Sequence, residues 1–521
     1  MRCFRIPTVR LIVLALALNC FWTADAVSSA RKAKPRPQVA DATDESPNEI
    51  RVTSPKETAQ ACKTAKPGDI IVLADGIYTD GRFVVRAEGK ADAPITFRAE
   101  TPGGAILTGS TMVTITGSHI VMDGFVFDQA WHGVTAFFTG ATHCRLTNCA
   151  FVECGKPTNT FTNIITLRGR SQHNRVDHCY MQANLSIGVG VRVMVNDFEN
   201  TYNQIDHNYF RNITARKNNG QEAIQLGKNG YTPQHTIVEY NLFESASGDH
   251  LEIISNKTRH NTIRYNTFRN CHGMISLRVG SHATINGNFI FNCTKGIRVH
   301  DGFHTIVNNY IQDCEHGIYV PCGYGDSKST SYQQVYNSIF AHNTIVNCKV
   351  GIILGGPNGL WKETECLIPS GNHFIKNLII SKRGLLVEDK GSRTTLWRGN
   401  ITWATGTAKP GLQNDGITHV APGLVEKDGL MRLARAKSAA TNLESANLYD
   451  FNTPVPGANV DMDGQPRDEK TDAGADEFSK APITRRPLKP ADVGPVWMKG
   501  DPTRIKRIPS PQPVPKWEWW R

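Results

Sequence analysis

Past residue 26 the 521-residue sequence holds no CxxC pair, no tight Cys/His cluster and no LxxLxL run. Thirteen cysteines are present, and with Cys3 and Cys20 in the leader an odd number remains, which argues against complete disulfide pairing in an exported chain. The absent leucine pattern removes leucine-rich repeats. The short apolar pieces carry no sustained 3.6-residue rhythm, so the crossover helices of a βαβ fold are missing too. Beyond the leader no apolar stretch is long enough to span a bilayer. With 40% hydrophobic and 20% charged residues the chain is neither a membrane protein nor a disordered one.

The leader has its own signature. Arg2, Arg5 and Arg10 precede "LIVLALALNCFW", and "TADA" ends at Ala26 in a small-x-small cleavage pattern. Residues 1–26 are expected to be a signal peptide, placing the protein in the periplasm or outside the cell. Residues 27–53 read as a flexible polar leader. The formal net charge of +11 fits an acidic polymer or surface as partner rather than nucleic acid, although solubility alone also accounts for it.

A repeat is what the sequence does have. "TIVEYNLF", "TIRYNTF", "TINGNFI" and "TIVNNYI" align on Asn241, Asn266, Asn288 and Asn309, which are 25, 22 and 21 residues apart. Gly124, Cys149, Cys179 and Asn208 continue the series upstream, with Asn337, Asn377 and Asn400 as its downstream members. A pitch near 22 to 30 with short alternating strands is one coil of a solenoid. The expected fold is all-β, a single-stranded right-handed parallel β-helix over residues 54–415. A helix near Pro55–Ala65 caps it, and an irregular extension, 416–521, packs on the last coils. The anchor asparagines are expected to bond between coils, and Cys271, Cys293 and Cys314 to stack as small buried side chains.

One outer face of such a solenoid is a groove, suited to a long polymer. Charged residues concentrate on adjacent coils between Asn218 and His304. Lys257 and Arg278 are 21 residues apart, one coil pitch, so their side chains are neighbours on one face. Glu252 precedes Lys257 by five residues. Lys217, Arg259, Arg298, His300 and His304 are candidate substrate contacts. Glycosidases need two carboxylates flanking the bond, and this cluster is basic. On a uronate polymer, β-elimination needs a base for the C5 proton and a cation or Arg to neutralise the adjacent carboxylate. Spacing alone leaves open that Lys257 and Arg278 are solvated surface residues and that Glu252 merely pairs with one of them.

"NNGQEAIQLG", "EIISNKT", "NTIRYNTFRNCHGMISLRVG" and "KGIRV" resemble the chondroitinase B-like family of polysaccharide lyases, polysaccharide lyase family 6, which includes alginate lyases. The resemblance covers about Lys56 to Thr405. It implies a right-handed parallel β-helix that cleaves uronate polymers by β-elimination, with Lys257 as catalytic base and Arg278 as acid or charge stabiliser. It also implies Ca²⁺, held by Asn219 and Glu252. The first carboxylate of the usual Glu-x-Glu falls on His250, leaving Asp249 as the substitute ligand. Val279 and Gln225 stand where a His and an Arg are usual.

The expected activity is therefore an exported lyase acting on alginate, with chondroitin or dermatan sulfate as the alternative substrate. A noncatalytic acidic-glycan-binding protein and a β-helical hydrolase are the rival classes. A monomer is expected, a dimer being the alternative.

Overall fold

The computed structural model describes residues 48–131, 134–155, 161–195, 198–213, 220–228, 231–324, 332–356, 366–441, 443 and 457–508. The leader 1–26, most of the segment 27–53 and the terminal "KWEWWR" lie outside them.

Each coil contributes one short strand to each of three parallel sheets. Sheet A has fourteen strands from Glu49–Val52 to Leu396–Arg398, and sheet B fourteen from Gly76–Thr79 to Ile417–His419. Sheet C has thirteen from Arg82–Glu88 to Lys409–Gly411. Strand pairing joins each coil to the next in register, as in Thr262–Arg264 with Thr284–Asn286 and Thr267–Arg269 with Phe289–Phe291. This is the parallel β-helix that the repeat predicts.

The period-2 pattern sends alternate side chains inward, and in-register stacking puts like on like. Phe210, Phe243 and Phe268 stack with ring centroids 4.8 and 4.6 Å apart, and Phe340, Phe374 and Trp397 at 4.4 Å. Those separations are close to the strand spacing itself, so aromatic rings on successive coils stack directly down the core.

The turns explain the Asn pattern. Each strand-to-strand corner needs a left-handed residue, and Tyr265 (φ 56°), Asn270 (φ 53°) and His282 (φ 61°) supply three in one coil. Behind the A–B corner the anchor amides form a continuous ladder. The Asn266 N–H donates to Asn288 Oδ1 at 3.1 Å, Asn288 N–H to Asn309 Oδ1 at 3.0 Å, and Asn309 N–H to Asn343 Oδ1 at 3.1 Å. The series runs from Asn208 to Asn400, with Cys179 and Cys149 at its upstream rungs. One predicted anchor is corrected: Asn337 is exposed at another corner, and Asn343 holds the rung, because the coil after Asn309 is 34 residues long. Cys271, Cys293 and Cys314 stack in the B–C corner as predicted, all buried, and Cys348 adds a fourth rung.

Both ends are covered. The helix Pro55–Thr64 starts on Ser54, whose Oγ accepts the Glu57 N–H at 3.2 Å, while the Glu57 carboxylate accepts the Thr53 N–H at 2.7 Å. Thr58, Ala61 and Cys62 are its buried face against the first coil. The C-terminal segment packs on the late coils through Met462, Ala473 and Ala475. It then runs back along sheet B, beyond the last coils where it was expected. Leu488 N–H donates to Thr267 Oγ1, Gly494 N–H to the His207 carbonyl and Trp497 Nε1 to the Asn148 carbonyl. Arg507 closes the strap at the early coils on Asp128 (2.9 Å) and Glu153 (2.6 Å).

Candidate active site

Sheet C carries the site. Strand Ser247–Asn256 pairs with His272–Leu277, which pairs with Lys295–Val299. Asn256 is opposite Leu277, so Lys257 and Arg278, the next residues, occupy equivalent positions one coil apart. The ladder continues through them, because Lys257 N–H donates to the Leu226 carbonyl at 2.8 Å and Arg278 N–H to the Asn256 carbonyl at 3.0 Å. Two residues back, Gln225, Ser255, Ser276 and Arg298 form the adjacent row.

Glu252 reaches this row because the strand bulges. Its pairing shifts register between Glu252 and Ile254, turning the carboxylate onto the sheet surface. Ser255 Oγ donates to Glu252 Oε2 at 2.5 Å and Ser276 Oγ to Oε1 at 3.2 Å. Arg298 Nη2 bonds to Glu252 Oε1 and to Ser276 Oγ, and Arg278 Nη1 is 4.0 Å from Oε2. Burial pushes the Glu252 pKa up, but Arg298, Arg278, Lys257 and the Ser255 hydroxyl outweigh it and leave the carboxyl below its ordinary value. Glu252 is 1% exposed and ionised.

Lys257 Nζ is 3.0 Å from Glu222 Oε1 on the preceding coil, while Glu222 Oε2 is buried without a hydrogen-bond partner. Lys257 is 5% exposed. Arg278 is the open member: its side chain is 19% exposed and its Nε is unpaired. Tyr332 closes the other side, with the Arg278 guanidinium 5.0 Å and the Arg298 guanidinium 5.2 Å from its ring centroid. The carboxylates of Glu222 and Glu252 thus face the Lys257 amine and the two fixed guanidinium cations of Arg278 and Arg298.

The remaining candidates divide. Arg298 belongs to the site, bound to Glu252. His300 follows Arg278 by one coil, its N–H donating to the Leu277 carbonyl. It is buried edge-on to Tyr332, and burial with Arg298 beside it drives its pKa well down, so the ring is neutral. His304 is buried as well. Its ring lies inside the corner, Nδ1 accepting the Ala283 N–H and Nε2 donating to the His300 carbonyl, with burial holding its pKa at about 4. Arg259 lies past the strand, stacked on Tyr231 at 4.9 Å. Lys217 and Asn219 fall outside the described residues. Of Asp249 and His250 only the backbone, in strand Ser247–Asn256, is described.

Ca²⁺ is implied by the resemblance; of the ligands expected for it, only the Glu252 side chain is among those described. A hard divalent ion takes six to eight oxygen ligands, but the Glu252 oxygens are engaged by Arg298, Ser276 and Ser255, with Arg278 close by. A buried acidic cluster does exist at Asp461, Asp463 and Asp476 in the C-terminal segment. Arg432 bonds to Asp463 and Asp476, and backbone N–H groups bond to Asp461 and Asp476.

Sequence reading missed Glu222 as the partner of Lys257, although it stands one coil upstream. It also missed Tyr332, which reaches the site from outside the repeat and leaves no mark in the periodicity.

Residues 52–366 match the sequence profile of the chondroitinase B family. Among solved structures, the PL6 family alginate lyase AlyGC superposes with a TM-score of 0.69 at 28% identity, over 74% of this chain and 55% of that one. The chain therefore spans about half the length of AlyGC. A mannuronic acid-specific polysaccharide family 6 lyase from human gut microbiota gives a TM-score of 0.62 at 27% identity, covering 72% of this chain and 92% of that one. The PL6 family polysaccharide lyase Pedsa3628 from Pseudopedobacter saltans, at 24% identity and a TM-score of 0.60 over 68% of this chain and 92% of that one, shares the fold. No curated protein sequence matches the chain.

Proposed function

The chain belongs to the chondroitinase B family, and from that premise we propose that it is a lyase that cleaves a uronate-containing polysaccharide, alginate first, by β-elimination. The observation that carries this reading is the pairing of Lys257 and Arg278 at one register position of adjacent coils. Relatives described as an alginate lyase and a mannuronic acid-specific lyase favour alginate over chondroitin or dermatan sulfate.

In this mechanism the uronate carboxylate docks on Arg278. The guanidinium side chain is 19% exposed and is flanked by Glu252 and Tyr332. Neutralising the carboxylate makes the C5 proton acidic, and Lys257 as the free amine removes it. The C4–O4 bond breaks as the C4–C5 double bond forms, and the departing O4 takes a proton from water, leaving a hydroxyl on the released chain. Arg278, backed by Arg298, holds the charge that develops on the carboxylate; such preorganised donors contribute about 10²–10³ in rate each. Glu222 fixes the position of Nζ. In this reading the fixed guanidiniums of Arg278 and Arg298 perform the neutralisation.

The reading includes export to the periplasm or beyond, on the pattern of residues 1–26. It also includes the division into leader (1–26), linker (27–53), β-helix (54–415) and extension (416–521). No helix among the described residues is long and apolar enough to cross a membrane.

One observation favours a second reading, a noncatalytic acidic-glycan-binding protein: Lys257 is nearly covered and already paired with Glu222. A screen against alginate, its block fractions, chondroitin and dermatan sulfates and pectate, with products read by mass, separates the two. Oligosaccharides lighter by one water than hydrolysis products support the lyase. Binding with no new chain ends on any polymer supports the second reading.

A further inference from the structure

The outer face of sheet C carries a cation that the site described above does not use. Strand Lys295–Val299 pairs with His316–Val320, Lys295 opposite His316 and Arg298 opposite Tyr319. Ile297, Val299, Ile318 and Val320 are core residues. Arg298 and Tyr319 alternate with them and so point outward. Lys295 lies back along this face, its ammonium 5.3 Å from the centroid of the Tyr319 ring. The His316 ring is 5.9 Å from the same ring. The face thus runs from Arg278 to Arg298 on the next coil, and on to Lys295 and Tyr319.

Lys295 lacks what the cations of the site have. Lys257 is paired with Glu222, Arg298 bonds to Glu252, and Arg278 lies beside Glu252. Lys295 is half-buried and forms no ion pair among the described residues. Burial, and then Arg298 beside it, pulls its pKa below the ordinary lysine value, and Glu315 offsets this only in part. On the opposite residue, His316, the Nδ1 is buried without a hydrogen-bond partner. A partly desolvated cation with no counter-charge is costly to keep, and a bound carboxylate would supply the missing partner.

We propose that Lys295, seated on Tyr319, binds the carboxylate of a second uronate, next along the chain to the one on Arg278. The Tyr319 ring restrains the ammonium. Arg298, between the two positions, is already committed to Glu252, so the second sugar's charge is met by Lys295. The groove then recognises a run of acidic sugars rather than a single one. This deepens the reading given above and rests on Arg278 holding a uronate.

Turnover and binding are measured separately, with the full-length protein and a saturated alginate hexasaccharide. Lys295→Met is expected to raise KM about tenfold with kcat unchanged. The same weakening is expected in Kd by calorimetry in a Lys257→Ala background, where the ligand stays intact. Lys295→Arg keeps the charge and recovers most of the loss in both. Lys295→Gln takes the place of the methionine variant if circular dichroism shows that one unfolded. Unchanged KM and Kd in the uncharged variant, or an arginine variant as weak as it, overturns the proposal. Weakened binding in a protein that eliminates no polymer keeps Lys295 as a glycan contact and removes the lyase reading. Elimination with an unchanged KM in the uncharged variant does the reverse.

Discussion

Lys257 and Arg278 are in register on adjacent coils, each the residue after a paired strand end, Asn256 and Leu277. Neighbours in that relation are about 5 Å apart at Cβ, close enough to address one sugar ring. Arg278 presents a planar fork to a carboxylate, which an ammonium cannot reproduce. Arg278→Lys and Arg278→Ala are therefore both expected to lower kcat by about 10²–10³, with unchanged circular dichroism. A lysine variant with full turnover would remove the fork from the mechanism.

Arg298 and Glu252 form a buried pair, and breaking it from one side strands a charge. Arg298→Ala should destabilise the fold by about 3–5 kcal/mol, measured by urea unfolding. Replacing both partners, Arg298→Met with Glu252→Gln, should recover much of that stability yet leave the enzyme poor, since Arg278 loses its anchor. The folded-state pKa of Glu252 is depressed. Its stabilisation is accordingly present above the unfolded carboxyl pKa and lost as pH falls through the folded value. Equal losses in the single and double variants would contradict the pairing.

Asp476 works in the opposite direction. Burial pushes its pKa up to about 7, against 3.8 for a free carboxyl, in spite of its bond to Arg432. Between those values the folded chain binds a proton that the unfolded chain releases, so this group's contribution to stability grows as pH falls from about 7 to about 4. Asp476→Asn keeps an acceptor for the Leu433 N–H and should flatten that part of the stability–pH curve. Thermal unfolding at pH 5 and pH 8 checks it; the same slope in wild type and variant would refute it.

Chelation tests the charge assignment. Because Arg298 and two serines hold the Glu252 carboxylate, exhaustive EDTA treatment followed by metal analysis should leave turnover unchanged. Loss of activity with EDTA, restored by Ca²⁺ alone, would mean that an ion does the neutralising.

Much of this architecture was legible in the chain. The Asn241–Asn266–Asn288–Asn309 spacing gave the coil pitch, and with it the juxtaposition of Lys257 and Arg278, because in-register stacking turns a sequence interval directly into a spatial neighbour. Misreadings came where the interval breaks. Asn337 passed for an anchor inside a 34-residue coil whose true rung is Asn343. His304 follows His300 by only four residues, but Asp301 (φ 70°) and Phe303 (φ 58°) turn the chain between them, folding the second imidazole into the corner. The bulge after Glu252 has no sequence signature, so the ion pair with Arg298, two coils on, could be found only in three dimensions. Tyr332 and the strap ending at Arg507 follow no period at all.

The most direct measurement is the ultraviolet absorbance of unsaturated chain ends as alginate is incubated with wild-type protein and with Lys257→Ala. The account expects a steady rise with the wild type and a rate at least about 10²-fold lower with the variant, both proteins being folded at the assay temperature by circular dichroism. A variant that eliminates at the wild-type rate, or a wild type that yields only saturated ends, would contradict it.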